Sequence, residues 1–384
     1  MLGTIPTAVP VDVADPVNAR ILAISEDKLP GFRTDPFGDI AEQAGLPRPV
    51  VVERIRAMLE AGVIRRVRQT LLATSLAKGA LVAWNVPEGR LHAAFDWMFG
   101  RDPFSGHVVV RSTDRGTPGS AYRLWTTLKV PVGYSMQKHC DQVRRITGAR
   151  AFRLLPATKL FALGVGHVRR KEIEPGEKTP EPGKVIDVEV TPVAEEEWPV
   201  LSALKREFTS EELAADPIWA SRAAEAEVSL EAFYAKAREF SERGVIGRFS
   251  TFLEHYKKLS TGERVTRFNA LFHWAVPPGR EIEAGREVGR FHCMTHAYWR
   301  DAGPEFGNVN IMGVSHGTEK ERVLAHKAAI DAHLAEVGIP VSYTNVFWGG
   351  RSEIKPSEVS PLVFREFWTK QRVDPDSLRD GEAL

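Results

Sequence analysis

Apolar residues along this chain keep changing their spacing, and the order of changes occurs twice. In "RPVVVERIRAMLEAGVIRRV", Val52, Ile55 and Leu59 recur at three- and four-residue intervals, which predicts a helix with one apolar face. Just before it, "DPFGDIAEQAG" offers Asp35 as an N-cap, Pro36 at the first helical position and Gly45 as a stop. After Gly62 the pattern alternates in "VIRRVRQTLL", as in a short hairpin strand. Helix, tight turn, helix, then ribbon is a winged helix-turn-helix order. Next come "GALVAWNV", "LHAAFDWMFG", "HVVVRST", "AYRLWTTLKV", "SMQKHCDQVRRITG" and "ARAFRLL". Their periods predict strand, helix, strand, strand, helix, strand, which is the ferredoxin-like βαββαβ unit.

The same order returns in the second half. "AWNVPEGR" at 83–90 reappears as "HWAVPPGR" at 273–280, so that Trp84 matches Trp274. "GVIRRV" at 62–67 reappears as "GVIGRF" at 244–249, and "HVVVR" at 107–111 as "HAYWR" at 296–300. The offsets are 190, 182 and 189, and the larger ones follow the longer "EHYKKLSTGERVTR" of the second copy. In "FTSEELAA", Thr209 and Glu212 form a capping-box pattern. The fold class expected is therefore α+β, a tandem duplication of a winged helix plus a ferredoxin-like unit. Its divisions are 17–75 and 76–168 for the first copy, a Pro/Glu/Lys-rich extended linker at 169–195, 196–262 and 263–350 for the second copy, and an unplaced extension at 351–384. Each open sheet needs a cover, and the other copy's sheet is the expected one.

Composition narrows the classes. The chain has 384 residues, 26% of them charged, with a formal net charge of +1. Bulk charge gives no pull toward nucleic acid. No apolar run is long enough to span a bilayer, and the start lacks the pattern of an export signal. The two cysteines, Cys140 and Cys293, are too few for a disulfide framework and read as buried thiols. A cytoplasmic location is expected.

Chemistry concentrates in "HCMTHAYWRD", 292–301. On a strand, His296, Tyr298 and Arg300 share a face, as do His107 and Arg111. A histidine titrates near neutral pH and suits proton delivery. Arginine grips a carboxylate with two parallel hydrogen bonds. His292 would share the His296 face, while Cys293 would point away. No further ligands stand at metal spacing, so no metal is expected. His167 and His316 fall in expected loops and receive no role. Arg66 and Arg248 match each other just after each winged helix; each is either a ligand for an acidic substrate or a solvated wing residue. Trp84 and Trp274 read as core.

A winged helix followed by a ferredoxin-like unit resembles the Lrp/AsnC regulators. The pairing of "HAYWR" with "YRLW" resembles the siroheme decarboxylases, a branch of that superfamily with a His-x-Tyr-x-Arg stretch and a Tyr-x-Leu-Trp strand. The first copy has His107 and Arg111 with Val109 in the tyrosine place, then Tyr122, Leu124 and Trp125. The second has His296, Tyr298 and Arg300, then Asn308, Asn310 and Ile311 in place of the aromatic strand. The resemblance implies two related subunits fused in one chain and paired through their ferredoxin-like sheets. It implies removal of the C12 and C18 acetate carboxylates of siroheme to give didecarboxysiroheme, for haem d1 or an alternative haem route. Catalytic roles would fall to His296 and His107, and substrate contacts to Arg300, Arg111, Tyr298, Tyr122, Arg66 and Arg248. Siroheme would be the substrate, with no added cofactor, and the assembly a possible homodimer or larger. The alternatives are an Lrp/AsnC-type DNA-binding regulator and a non-catalytic tetrapyrrole sensor. Mixed charges on the expected recognition helices argue against DNA binding.

Overall fold

A computed structural model describes residues 9–163, 173–187, 189–253 and 268–381. The first copy runs α1 (Pro16–Ser25), α2 (Pro36–Ala44), α3 (Arg48–Glu60), β1 (Ile64–Leu71), α4 (Ala73–Leu76), β2 (Gly79–Asn85), α5 (Leu91–Gly100), β3 (Ser105–Ser112), β4 (Leu124–Lys129), α6 (Met136–Thr147), β5 (Ala151–Pro156) and β6 (Lys159–Leu163). The second runs α7 (Trp198–Lys205), α8 (Ala220–Glu225), α9 (Leu230–Glu242), β7 (Ile246–Leu253), β8 (Phe268–Ala275), α10 (Glu281–Gly289), β9 (His296–Trp299), β10 (Ile311–Gly317), α11 (Lys320–Glu336) and β11 (Tyr343–Ile354), and α12 (Pro361–Lys370) follows. The chain is α+β, as its alternating periods predict. The segment "EHYKKLSTGERVTR", the start of the linker and His167 lie outside the described residues.

Chain order and compact units differ. Residues 1–76 and 191–261 form one unit, and 77–190 with 262–384 form the other. Like therefore associates with like: winged helix with winged helix, ferredoxin-like half with ferredoxin-like half.

In the winged-helix unit the ribbon is shared between copies. β1 pairs antiparallel with β7, from Ile64 opposite Leu253 to Leu71 opposite Ile246. At the repeat offset of 182 these two pairs are the same pair exchanged, as a two-fold axis requires. The hairpin expected inside each copy is replaced by this partnership. Other local expectations shift too. Asp35 precedes α2 without capping it, because its carboxylate goes to Arg48 at 2.9 Å. Gly45 does end the helix, at φ 60°. The buried stripe of α3 is Val51, Ile55 and Met58 rather than Val52, Ile55 and Leu59, a rotation of the same face by one residue. The Thr209–Glu212 capping box forms, with each side chain accepting the other's backbone N–H, and it opens only a short 3-10 turn.

In the other unit the two four-stranded sheets become one of nine, ordered β5-β2-β4-β3-β11-β8-β10-β9-β6. Two crossovers join them. β11 pairs with β8 through Tyr343–Trp348 and then with β3 through Ile354. β5 pairs with β2 inside its own copy, and after two residues β6 pairs with β9 of the other. The strands at the two ends of the order thus follow each other in the chain, and the sheet folds back on itself. Its outer face carries the helices over two cores, one around Trp84 and Phe95 and one around Phe272 and Trp274. Its inner face carries a third core drawn from both copies, with Val109, Trp125, Leu155, Leu271, Phe306, Met312 and Phe347. β6 and the long reach of β11 were not legible as separate strands, because each continues a strand already counted.

The linker and tail both dock in this unit. Residues 173–187 carry no helix or long strand, yet Gly183 donates its N–H to the Arg286 carbonyl and Ile186 bridges Leu160. In the tail, Phe364 and Trp368 of α12 are fully buried on the first copy's outer core.

Phe161 of β6 seats on α10 where Gly285 and Gly289 leave no side chain. A Cβ at Gly289 would stand 2.6 Å from the Phe161 carbonyl oxygen and 2.9 Å from its carbon. Backbone cannot retreat as a flexible side chain can. The substitution Gly289→Ala should therefore destabilise the protein by about 1–2 kcal/mol, an overpacking cost partly offset by helix propensity. Urea unfolding checks this; an unchanged midpoint would mean that the crossover is not held there.

Candidate active site

The inner face is set by strand alternation. On β3, Val108 and Val110 enter the outer core while Val109 enters the inner one, so His107 and Arg111 also face inward. A register shift between Ser105 and Val108 falls at the start of this strand without removing His107 from the face. On β9, Ala297 and Trp299 pack outward, leaving His296, Tyr298 and Arg300 on the inner side. The two His–x–x–x–Arg stretches, one per copy, thus converge within one unit.

Contacts fix the individual groups. The His107 Nε2 stands 2.7 Å from the Ser352 hydroxyl of β11. Ser352 lies in the tail that sequence patterning left unplaced. Arg111 is buried; its Nη1 donates to the Asn269 side chain at 3.2 Å and to the Phe347 carbonyl at 3.4 Å, and its Nε has no protein partner. Arg300 is also buried; it donates to the Leu155 carbonyl and lies 4.4 Å from the Tyr298 ring centre. Tyr298 in turn stacks on His296, with ring centres 5.9 Å apart and 10° between planes.

The charges that act on His107 have one sign. Burial, with the Arg111 and His296 charges beside it, pushes the His107 imidazole down to about 4. Burial lowers Arg111 to about 10, and Arg300 to about 10 against a weaker opposing pull from Tyr298. Among the described residues neither arginine has a carboxylate within ion-pair distance. A buried guanidinium without a counter-ion is expensive to keep, and an incoming carboxylate relieves that cost.

Of the other candidates, Tyr122 packs in the apolar core of the same inner face, and the rest lie elsewhere. Tyr122 precedes β4 instead of sitting on it, and its hydroxyl donates to Glu305 at 2.7 Å while its ring packs on Phe306. That contact raises the phenol to about 12, after the larger effect of burial. Arg66 and Arg248 belong to the winged-helix unit, where Arg66 pairs with Glu207 at 2.9 Å and Arg248 donates to the Glu26 carbonyl at 2.9 Å. His292 occupies a turn before β9, so it shares no strand face with His296; Glu177 takes its imidazole at 3.0 Å. Cys140 and Cys293 are buried thiols. No group of three potential metal ligands occurs among the described residues.

Three inward-facing residues escaped sequence reading. His316 is on β10 opposite Asn269, in line with Met312 and Val314, not in a loop. Lys129 ends β4 on the same face as Trp125. His273, one residue before the repeated tryptophan, is fully buried among Trp125, Phe306 and Phe347, with both ring nitrogens unpartnered. Its counterpart in the first copy is Ala83, so only the comparison of the two copies, position by position, could have marked it.

Residues 76–162 match the model of an AsnC-like ligand binding domain. A siroheme decarboxylase of Hydrogenobacter thermophilus is 26% identical over 309 residues, covering 79% of this chain and 84% of that protein. This chain is similar to that siroheme decarboxylase over most of its length. The siroheme decarboxylase alpha subunit of Desulfovibrio desulfuricans is 27% identical over 152 residues, 39% of this chain and 82% of that subunit. One such subunit thus spans about one copy of the duplication. The crystal structure of the siroheme decarboxylase NirDL in co-complex with an iron-uroporphyrin III analogue has the same fold, with a TM-score of 0.64 at 20% identity over 92% of this chain and 98% of that one.

The buried bases give a pH prediction. Burial first, then Arg111 and Lys327, hold the His273 imidazole down to about 3. Between pH 6.5 and about 3 the unfolded chain binds a proton there that the folded chain refuses, so stability falls as pH falls through that window. His273→Phe keeps the ring packing and removes the base. Its urea midpoint should decline less on acidification than that of the wild type; parallel declines would show that His273 is not buried neutral.

Proposed function

We propose that the chain decarboxylates siroheme, removing the acetate carboxylates at C12 and C18, with one copy of the duplication facing the other across the substrate. The observation that carries this is the convergence of His107 and Arg111 with His296, Tyr298 and Arg300 on one inner face that is rich in cations. A tetrapyrrole with many ring carboxylates suits such a face. Arg111 and Arg300 would orient it through two-pronged contacts.

The chemistry asks little beyond positioning and a proton. The bond between the acetate carboxylate and its methylene carbon breaks, CO₂ leaves, and the electron pair passes into the macrocycle. A proton then closes the methyl group. The ring supplies the electron sink, so no added cofactor is needed. His296 would deliver the proton. His107 is neutral while the site is empty of anions; a substrate carboxylate beside it offsets the Arg111 charge and restores its basicity. Excluding water keeps these charge interactions strong.

The regulator alternative finds less support. On α3, Arg48, Arg54 and Arg56 pair with Asp35, Asp15 and Glu60; on α9, Lys236 pairs with Glu197 and Glu239. Cations already committed to carboxylates have little left for phosphate. Among the described residues no helix is long and apolar enough to cross a membrane.

Anaerobic incubation of the purified chain with siroheme, followed by mass analysis, should show successive losses of CO₂. His296→Ala should lower turnover by roughly 10²–10⁴-fold while leaving pigment binding nearly intact. Siroheme recovered unchanged from the wild-type protein would refute the activity. Full turnover in the variant would remove His296 from it.

A further inference from the structure

Lys129 and His316 occupy equivalent places in the two copies. Leu124 lies opposite Trp84, and Ile311 lies opposite Trp274, so the repeat aligns β4 with β10 residue by residue and sets Lys129 against His316. Both project from the inner face. Lys129 reaches across to β2, where its Nζ donates to the Ala77 carbonyl at 2.9 Å and stands 3.5 Å from the place a Cβ on Gly79 would fill. The ammonium therefore lies in contact distance of the start of β2. Beside it is Arg300 of the other copy, whose guanidinium bonds the Leu155 carbonyl on the strand paired with β2.

We propose that Lys129 is a further substrate-binding residue, contributed by the first copy, and that it grips a tetrapyrrole carboxylate together with Arg300 of the second. This rests on the siroheme reading above and adds to it a difference between the two halves of the site. One half offers Lys129 with Arg300 and Tyr298. The other offers Arg111 with Asn269 and has His316 in the lysine place. The duplication has therefore not produced two identical grips, and the two ends of the substrate meet different chemistry. A lysine ammonium is a compact point charge on a flexible stem, which complements the rigid fork of the arginine.

Titration makes this grip visible. Burial first, then the neighbouring Arg300 charge, brings the Lys129 ammonium down to about 8. Arg300 is a charged neighbour that lowers it, and the Ala77 carbonyl accepts from its Nζ. An ammonium that must be protonated to hold a carboxylate loses its grip as pH rises through about 8.

The experiment is anaerobic absorbance titration of the full chain with siroheme between pH 6 and 9.5, on wild type, Lys129→Gln and Lys129→Arg. The wild type should bind more weakly as pH rises through about 8. Lys129→Gln should lose about ten-fold or more in affinity at pH 7 and lack that limb. Lys129→Arg should recover affinity at pH 7 and also lack the limb, because its charge persists. Wild-type affinity in Lys129→Gln, or a limb that survives in Lys129→Arg, overturns the proposal. A wild type that binds siroheme with the Lys129 signature yet releases no CO₂ overturns the decarboxylase reading alone. Failure of the wild type to bind siroheme overturns both.

Discussion

The exchange of strands between the two copies is the constraint on which the site depends. β11 leaves its own sheet to pair with β3, and β6 leaves its own to pair with β9. Backbone hydrogen bonds cover both exposed sheet edges at once, which an isolated ferredoxin-like unit cannot do for itself. The same exchange turns β3 and β9 from edge strands into interior ones. Those strands carry His107, Arg111 and His296, and Arg300 directly follows β9. Without the crossovers, His107 would lack Ser352 and Arg111 would lack the Phe347 carbonyl, since both partners come from β11.

Electrostatics then follows from enclosure. The inner face has an apolar region around Trp125, Phe306 and Phe347 and a polar one around His107, His296 and the arginines. The apolar packing keeps the two sheets together and the dielectric low. In that environment a guanidinium paired only with carbonyls and an amide is under-compensated, and a neutral imidazole is preferred over a charged one. On the proposed function, substrate carboxylates would reverse both conditions. Binding and protonation would then be coupled through the same side chains, without a histidine ionised in advance.

Much of this was legible in the sequence, for physical reasons that also mark where legibility ended. A period of two on "HAYWR" and "HVVVR" fixes which residues share a face, and the repeat of Trp84 as Trp274 fixes the register between copies. Those local rules grouped His107 with Arg111, and His296 with Tyr298 and Arg300; bringing the two groups together rested on the expected pairing of the two copies' sheets. Strand alternation failed where the strand was not there: His292 sits in a turn. Conversely, His316 read as loop because Gly313 and Gly317 interrupt the apolar pattern, although pairing with β8 holds the segment straight. Ser352 and the burial of Phe364 and Trp368 depend on long-range docking of the tail, which no local period announces. The described stretch 173–187 of the linker carries no helix or long strand, and its hydrogen bonds to α10 and its bridge to β6 could not be inferred from composition.

The most direct measurement is a crystal structure of the full chain with an iron tetrapyrrole that bears its ring carboxylates. The account predicts the macrocycle against the inner face, with carboxylates on Arg111 and Arg300 and its iron or acetate arms facing His107 and His296. A macrocycle bound elsewhere, with both arginines keeping only their protein partners, would contradict it.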